Sequence, residues 1–179
     1  MTLNFDSYYL EPIQEKDAWR LCDFVVSNEE RLKRFFPGTL ASNLTPELAT
    51  LFAKIKVKEF SENEEFLYTL KTKFDRSLIG MVYLKELNWK TKQGELAYCI
   101  GYTHEGQGIM TKAINSISEW AFTSQKLKTL QIIVHKTNLS STRIAQKCGF
   151  TWQKTLLNAH TPPNEKPLDM ELYERYRAL

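Results

Sequence analysis

The stretch Gly94–Ala121, GELAYCIGYTHEGQGIMTKAINSISEWA, decides how the chain is read. It opens with a dense apolar strand, Leu96–Ile100, passes through a glycine-bearing turn, Glu105-Gly106-Gln107-Gly108, and starts a helix at Ile109. Ile109, Ala113, Ile114, Ile117, Trp120 and Ala121 recur at helical spacing, which gives that helix one apolar face. A helix N-terminus presents backbone N–H groups that lack intrahelical acceptors, together with the positive end of the helix dipole. Glycines just before it let a bulky anion approach those groups. Strand, turn and helix therefore form a site suited to phosphate or pyrophosphate.

Two phosphate motifs fail against these residues. A Walker A loop needs G-x-x-x-x-G-K-[ST]. Gly101 and Gly106 have that spacing, but Gln107 and Gly108 stand where Lys and Ser/Thr are required, so the triphosphate clamp and the magnesium ligand are missing. The dinucleotide fingerprint G-x-G-x-x-G/A fails at its third small residue, because Gly106-Gln107-Gly108 is followed by Ile109, Met110 and Thr111. What remains, Thr103-His104-Glu105-Gly106-Gln107-Gly108, resembles the Q/R-x-x-G-x-G/A pyrophosphate loop of the GCN5-related N-acetyltransferases, with Thr103 at the position usually held by Gln or Arg. The fuller string His104–Ala113 is similar to the branch that contains the ribosomal-protein N-terminal acetyltransferases of RimJ/RimL type. A second block, Asn138–Phe150 (NLSSTRIAQKCGF), resembles the family's N-x-x-S-x-x-[IV]-A-x-[KR]-x-G-F segment in full.

The bulk properties narrow the function classes. A length of 179 residues predicts one domain, residues 1–179, with an adequate core. A net charge of +3 with no run of five like charges gives little support for non-specific nucleic-acid binding. No apolar run approaches ~18 residues and MTLNFDSYYLEP lacks a signal-peptide core, so a cytoplasmic protein with no membrane span is expected. Cys22, Cys99 and Cys148 are widely spaced with no CxxC and read as reduced thiols. His104, His135 and His160 are scattered, and no metal site is expected from them.

Taken in order, the chain predicts a strand over Tyr8–Glu11 and a helix from Glu15 to about Ser27. A solvated link follows over Asn28–Asn43. Thr45-Pro46-Glu47 signals the start of a helix that runs to about Asn63, with Leu48, Leu51, Phe52 and Ile55 on its buried face. Phe66–Lys71, Leu78–Glu86 and Gly94–Gly101 are three strands in succession, the first two closed by the turn Thr72–Ser77. After the glycine loop and its helix come a strand at Leu130–His135 and a polar elbow at Asn138–Ser141. A short helix, Ser141–Lys147, ends in a left-handed cap at Gly149. Phe150–Leu157 and Leu168–Tyr173 close the order around the loop Asn158–Pro167. This is a mixed α/β order, and the resemblance implies a single acetyltransferase-type domain whose central, mostly antiparallel twisted sheet is flanked by helices.

The resemblance also implies acetyl-coenzyme A as donor. Its pyrophosphate is expected on the N–H groups around His104, Glu105, Gly106, Gln107, Gly108, Ile109 and Met110. Its pantetheine arm, which carries two amides, is expected to pair with the strand edge at Tyr98, Cys99 and Ile100. Asn138 and Ser141 complete the donor site. From their residue types alone, Asn138 equally suits an Asx-turn and Ser141 a helix N-cap. Acetyl transfer to an amine requires a base for the amine proton and stabilisation of the departing thiolate. Glu95, five residues before Ile100, is the candidate base. Ser141 is the candidate proton donor to sulfur, implied by the ribosomal branch. No histidine is placed by sequence to activate Cys99, so direct attack is expected rather than an acyl-enzyme.

The acceptor pocket is expected between Arg31–Gly38 and Asn158–Lys166. The second segment departs from the branch's usual pattern, although Asp169 and Tyr173 match its end. The expected acceptor is a primary amine, the N-terminal α-amino group of a protein such as a ribosomal protein, with a small amine or amino acid as the alternative. A catalytically silent acyl-coenzyme A-binding module is the rival from another class. The assembly is expected to be a monomer or homodimer.

Overall fold

The computed structural model describes residues 2–178. The chain runs β1 (Leu3–Phe5), β2 (Tyr8–Pro12), α1 (Ala18–Ser27), α2 (Glu29–Leu32), α3 (Pro37–Ala41), α4 (Pro46–Glu62), β3 (Phe66–Thr72), β4 (Leu78–Asn88), β5 (Gln93–Ile100), α5 (Ile109–Thr123), β6 (Thr129–Val134), α6 (Leu139–Lys147), β7 (Thr151–His160) and β8 (Leu168–Tyr176). The eight strands form one sheet in the order β1-β2-β3-β4-β5-β6-β8-β7. Every neighbouring pair is antiparallel except β5 with β6.

Alternation along the strands sends side chains to two cores. Phe66, Tyr68, Leu84 and Leu96 point to the face covered by α5, where Ile109, Ala113, Ile114 and Ile117 are buried. Leu67, Met81, Tyr83 and Cys99 point to the other face, against Phe24 and Val25 of α1 and Phe52 and Ala53 of α4. Each Leu or Ile fully buried in this way contributes about 1.5–3 kcal/mol relative to exposure.

The single parallel contact shapes the functional cleft. β5 pairs with β6 only at Gln93↔Thr129, Gly94↔Leu130 and Glu95↔Gln131. β5 stays paired with β4 as far as Ile100. Beyond Glu95, β5 and β6 therefore splay apart, leaving one edge of Leu96–Ile100 free.

Several local expectations are corrected. The expected buried face of α4 is rotated: Leu48, Leu51 and Ile55 are 42%, 58% and 45% exposed, while Ala49, Phe52 and Ala53 are buried. Two alanines one turn apart let the helix approach α1 closely, and periodicity alone does not register that. Thr45 does cap α4, its Oγ1 accepting from Leu48 N at 3.3 Å. The link Asn28–Asn43 holds α2 and α3, helices too short to show a hydrophobic period. β1 was not anticipated; it makes a tight hairpin with β2 in the register Phe5↔Tyr8. β7 continues to His160 through an irregularity between Leu156 and His160, with Asn158 at φ 52°, where a loop was expected. α6 starts at Leu139, two residues early, because Asn138 Oδ1 accepts from Ser141 N at 3.2 Å and so caps it. Gly149 ends α6 at φ 79°, as expected.

Candidate active site

The glycine turn adopts the geometry its residues favour. Gly106 (φ 76°) and Gly108 (φ 74°) are both left-handed, a region costly for residues with a Cβ. A Cβ built on either one meets nothing within 4 Å, so the turn encloses open space at the start of α5. Gly108 is the N-cap of α5 and no side chain caps this 15-residue helix. Its first N–H groups thus face that space, with the dipole's positive end behind them. Ile109 and Met110 bury their side chains in the core and present only backbone to the turn.

Side chains around the turn hold its shape. Gln107 folds back, Nε2 donating to the Thr103 carbonyl at 3.0 Å, and its Oε1 accepts from Tyr8 Oη at 3.3 Å. His104 packs against the edge of the Tyr8 ring, centroids 5.9 Å apart, and its Nδ1 lies 2.9 Å from Thr103 Oγ1. Glu105 was expected to offer backbone, yet its side chain is engaged as well. Arg31 donates to both its oxygens at 2.7 and 2.8 Å, and Ser140 Oγ donates to it at 3.3 Å. Arg31 also lies over the Tyr102 ring at 5.0 Å. The guanidinium hydrogen bonds hold the Glu105 carboxyl below the usual carboxylate range. Arg31, read from sequence as part of the acceptor pocket, instead braces the donor loop.

The splay between β5 and β6 opens a cavity of about 620 Å³, which Glu95, Tyr98, Asn138 and Ser141 all line. Glu95 shares its face of β5 with Ala97, on the α4 side. Ser141 lies on α6, whose Ala145 belongs to the α5-side core. Base candidate and acid candidate therefore approach the cleft from opposite faces of the sheet. Tyr98 Oη donates to the Ser141 carbonyl at 3.0 Å, tying the first turn of α6 to β5. Asn138 makes its contact as a helix cap, the role its residue type also suits.

Glu95 is largely buried, and burial raises its carboxyl above the usual range against the opposing pull of Lys85, whose Nζ is 3.1 Å from Oε1. Cys99 is buried on the α4 side, where desolvation pushes the thiol up to about 12. It is therefore a protonated core residue. Ile100 is buried in the α5-side core. Among the described residues no three His, Cys, Asp or Glu side chains are grouped to hold a metal ion, and no helix is long and apolar enough to cross a membrane.

Phe35, Phe36, Pro37 and Gly38 line the cavity together with Ala159 and His160, so parts of the two segments expected around the acceptor meet there. Phe35 stacks on His160 (5.5 Å) and sits 6.2 Å from His135. Arg34 and Glu165 are joined at 2.9 Å, and His160 Nε2 lies 2.8 Å from the Arg34 carbonyl oxygen. These contacts draw the two loops together. Lys85, Lys56, Glu65 and Tyr98 Oη escaped sequence reasoning. Lys85 alone left a usable signal, because the β4–β5 hairpin register sets it opposite Glu95.

The open glycine turn before α5, the free β5 edge and the cavity lined by Glu95 suit an acyl-transfer enzyme, and residues 8–151 match the model of the acetyltransferase (GNAT) domain: the chain belongs to that family of acetyltransferases. Among its relatives, the probable N-acetyltransferase YjcK of Bacillus subtilis is 31% identical over 79% of each chain. Spermidine N(1)-acetyltransferase of Escherichia coli K12 is 30% identical over 47% of this chain and 45% of its own. The fold is shared with RimL, the ribosomal L7/L12 α-N-protein acetyltransferase solved in complex with coenzyme A, at a TM-score of 0.88 and 15% identity over 98% of each chain.

Proposed function

We propose that this acetyltransferase uses acetyl-coenzyme A to acetylate the N-terminal α-amino group of a protein chain. The observation that carries the reading is that Glu95 and Ser141 line one cavity beside the free β5 edge, with the open glycine turn at the start of the adjacent helix. The coenzyme fits this chain's residues. Gly106 and Gly108 leave the space a pyrophosphate needs, and the unpaired edge of Tyr98–Ile100 offers backbone to the amides of pantetheine. When bound, acetyl-coenzyme A supplies the activated acetyl group.

Glu95 accepts the proton of the incoming ammonium, directly or through water, and its burial raises the carboxyl above the usual range, which makes it a stronger base. Ser141 hydrogen-bonds the departing sulfur, its position fixed by the Asn138 cap and by Tyr98. Cys99, buried in the α4-side core with its thiol pushed up to about 12, takes no acyl group, so the amine attacks directly. RimL, named for acetylating an α-amino group of a ribosomal protein, supports the same class of acceptor, and a ribosomal protein is the natural first candidate. A homologue that acetylates spermidine keeps a small amine as the second reading.

The test is thiol release from acetyl-coenzyme A across N-terminal peptides and small amines, beside calorimetry with coenzyme A. Tight coenzyme A binding with no turnover on any acceptor would point to a silent binding module. Absence of both would sink the reading altogether.

A further inference from the structure

The acceptor side of the cavity contains two carboxylates, and each already has a lysine. Glu95 is matched by Lys85 at 3.1 Å, and Glu65 by Lys56 at 2.7 Å. Lys56 also holds Glu59 at 2.7 Å, its stem lying against the Phe52 ring with Nζ 5.6 Å from the centroid. Two lysines against two glutamates leave the lining with no unmatched anion, and His135 and His160 cannot supply one. Beyond Lys56 lies an outer groove with Glu59, Glu64, Glu65 and Glu86, sharing Glu65 with the cavity. The Lys56 ammonium, bonded to the Glu65 that both share, stands at the junction of the two.

The rest of the wall is apolar. Phe35 and Phe36 are half-buried, and Phe36 stacks on Tyr83 at 6.3 Å. Exposed Ile55 forms part of the rim. It ends a stripe of exposed apolar residues on α4, Leu48 and Leu51, at helical spacing, so apolar surface continues outward from the mouth.

We propose that the acceptor is a single primary amine carried one or two carbons from an apolar or aromatic group, and that Lys56 excludes polyamines by filling their second cation site from within the chain. The N-terminal residue of a peptide beginning with Phe and a free arylalkylamine share that chemistry. The proposal rests on the reading of the Glu95 cavity as the acceptor site of an acetyltransferase. Inside the cavity a polyamine would set its second ammonium against Lys56, which stands between it and the carboxylates of the outer groove, whereas an aromatic group meets Phe35, Phe36 and Ile55.

Calorimetry on the full chain saturated with coenzyme A compares phenethylamine, a Phe-initiated tetrapeptide and spermidine, and kcat/KM with acetyl-coenzyme A is measured for the same three. Phenethylamine or the peptide is expected to bind at least tenfold more tightly than spermidine. Whichever of these two is tighter identifies the source as a protein N-terminus or a small amine. Lys56→Met is expected to tighten spermidine at least tenfold relative to phenethylamine. Phe36→Ala is expected to weaken the aromatic ligands and leave spermidine unmoved, a readout that survives if Lys56→Met does not fold. Tighter binding of spermidine by the native chain overturns the proposal, as does an unchanged ratio in a folded Lys56→Met. Selective binding of the aromatic amine without turnover leaves the proposal standing and removes the acetyl-transfer reading instead.

Discussion

Lys85 Nζ stands 3.1 Å from Glu95 Oε1 across the β4–β5 pair, so the carboxylate facing the cavity has its counter-ion built into the neighbouring strand. Burial raises the Glu95 pKa and Lys85 lowers it, with burial prevailing. The acid limb of kcat/KM is therefore expected above the usual glutamate value of about 4.3. Lys85→Met removes the lowering influence and is expected to move that limb further toward alkaline pH, whereas Glu95→Gln is expected to reduce kcat by ~10²–10⁴-fold. The stability sign runs the other way from that of a salt-bridged acid. A raised folded pKa means the native state binds more protons between the unfolded and folded values, so stability falls as pH rises through that window. Glu95→Gln should accordingly show no loss of Tm at neutral pH while losing activity. A coincident loss of both would identify Glu95 as structural.

Gly106 separates backbone strain from ligand collision. Its φ of 76° makes Ala costly by about 1–2 kcal/mol, yet the added Cβ meets no protein atom within 4 Å. Gly106→Ala is expected to lower stability by that modest amount and to raise KM for acetyl-coenzyme A, with saturated kcat nearly unchanged. Gly106→Val should raise KM further, because the larger side chain fills the space assigned to the pyrophosphate. Steady-state kinetics with acetyl-coenzyme A varied, beside a denaturant titration, separates the two effects. An unchanged KM in Gly106→Val would place the pyrophosphate elsewhere.

The donor side of the cleft was legible because its signals are local. Gly106 and Gly108 declare their backbone, Asn138 and Gly149 delimit α6, and the strand and helix between them keep clear periods. The acceptor side was not legible, because its contacts join residues far apart in the chain. Arg31 meets Glu105 across 74 positions and Arg34 meets Glu165 across 131. Arg31–Gly38 was expected to line the acceptor pocket, with its charges on a solvated link, whereas a bidentate partner in the glycine loop claims Arg31. The orientation of α4 was missed for a related reason. Leu48, Leu51 and Ile55 have a core-like spacing, but α1 packs against the smaller Ala49 and Ala53.

Arg31 supplies a third test. With Glu105 it forms a partly exposed ion pair at the turn where an anion is expected to bind. Such a pair contributes only about 0–1 kcal/mol to stability. Its larger effect is to neutralise a carboxylate beside the pyrophosphate. Arg31→Ala is expected to raise KM for acetyl-coenzyme A several-fold, more at low salt than at high salt, with little change in Tm. Adding Glu105→Gln removes the uncovered charge and should recover much of that loss. Failure of the double variant to recover would show that Arg31 contacts the coenzyme itself or shapes the loop by packing.

The least expected charge in the molecule lies outside the lining of the cavity. Lys71 on β3 is 2% exposed and Asp17, just before α1, is 1% exposed, with Nζ 2.5 Å from Oδ1. Glu11 on β2 adds a second carboxylate at 2.8 Å from the same nitrogen. Asp17 also accepts from the Gln14 backbone N–H at 3.1 Å, so the pair pins the entry to α1 onto the sheet. Removing one partner leaves a buried, uncompensated charge, at a cost of about 3–5 kcal/mol. Lys71→Met is therefore expected to lower the urea midpoint sharply. Lys71→Met with Asp17→Leu removes the fully buried ion pair and should regain most of that stability, leaving the Gln14 N–H without its acceptor and the partly exposed Glu11 carboxylate without its lysine. Because neither residue touches the cavity, the double variant should bind coenzyme A as the native chain does. Weaker coenzyme A binding by a stably folded double variant would mean that the entry to α1 also sets the position of the Asn28–Tyr102 contact, where Tyr102 N donates to Asn28 Oδ1 at 3.3 Å beside the donor loop.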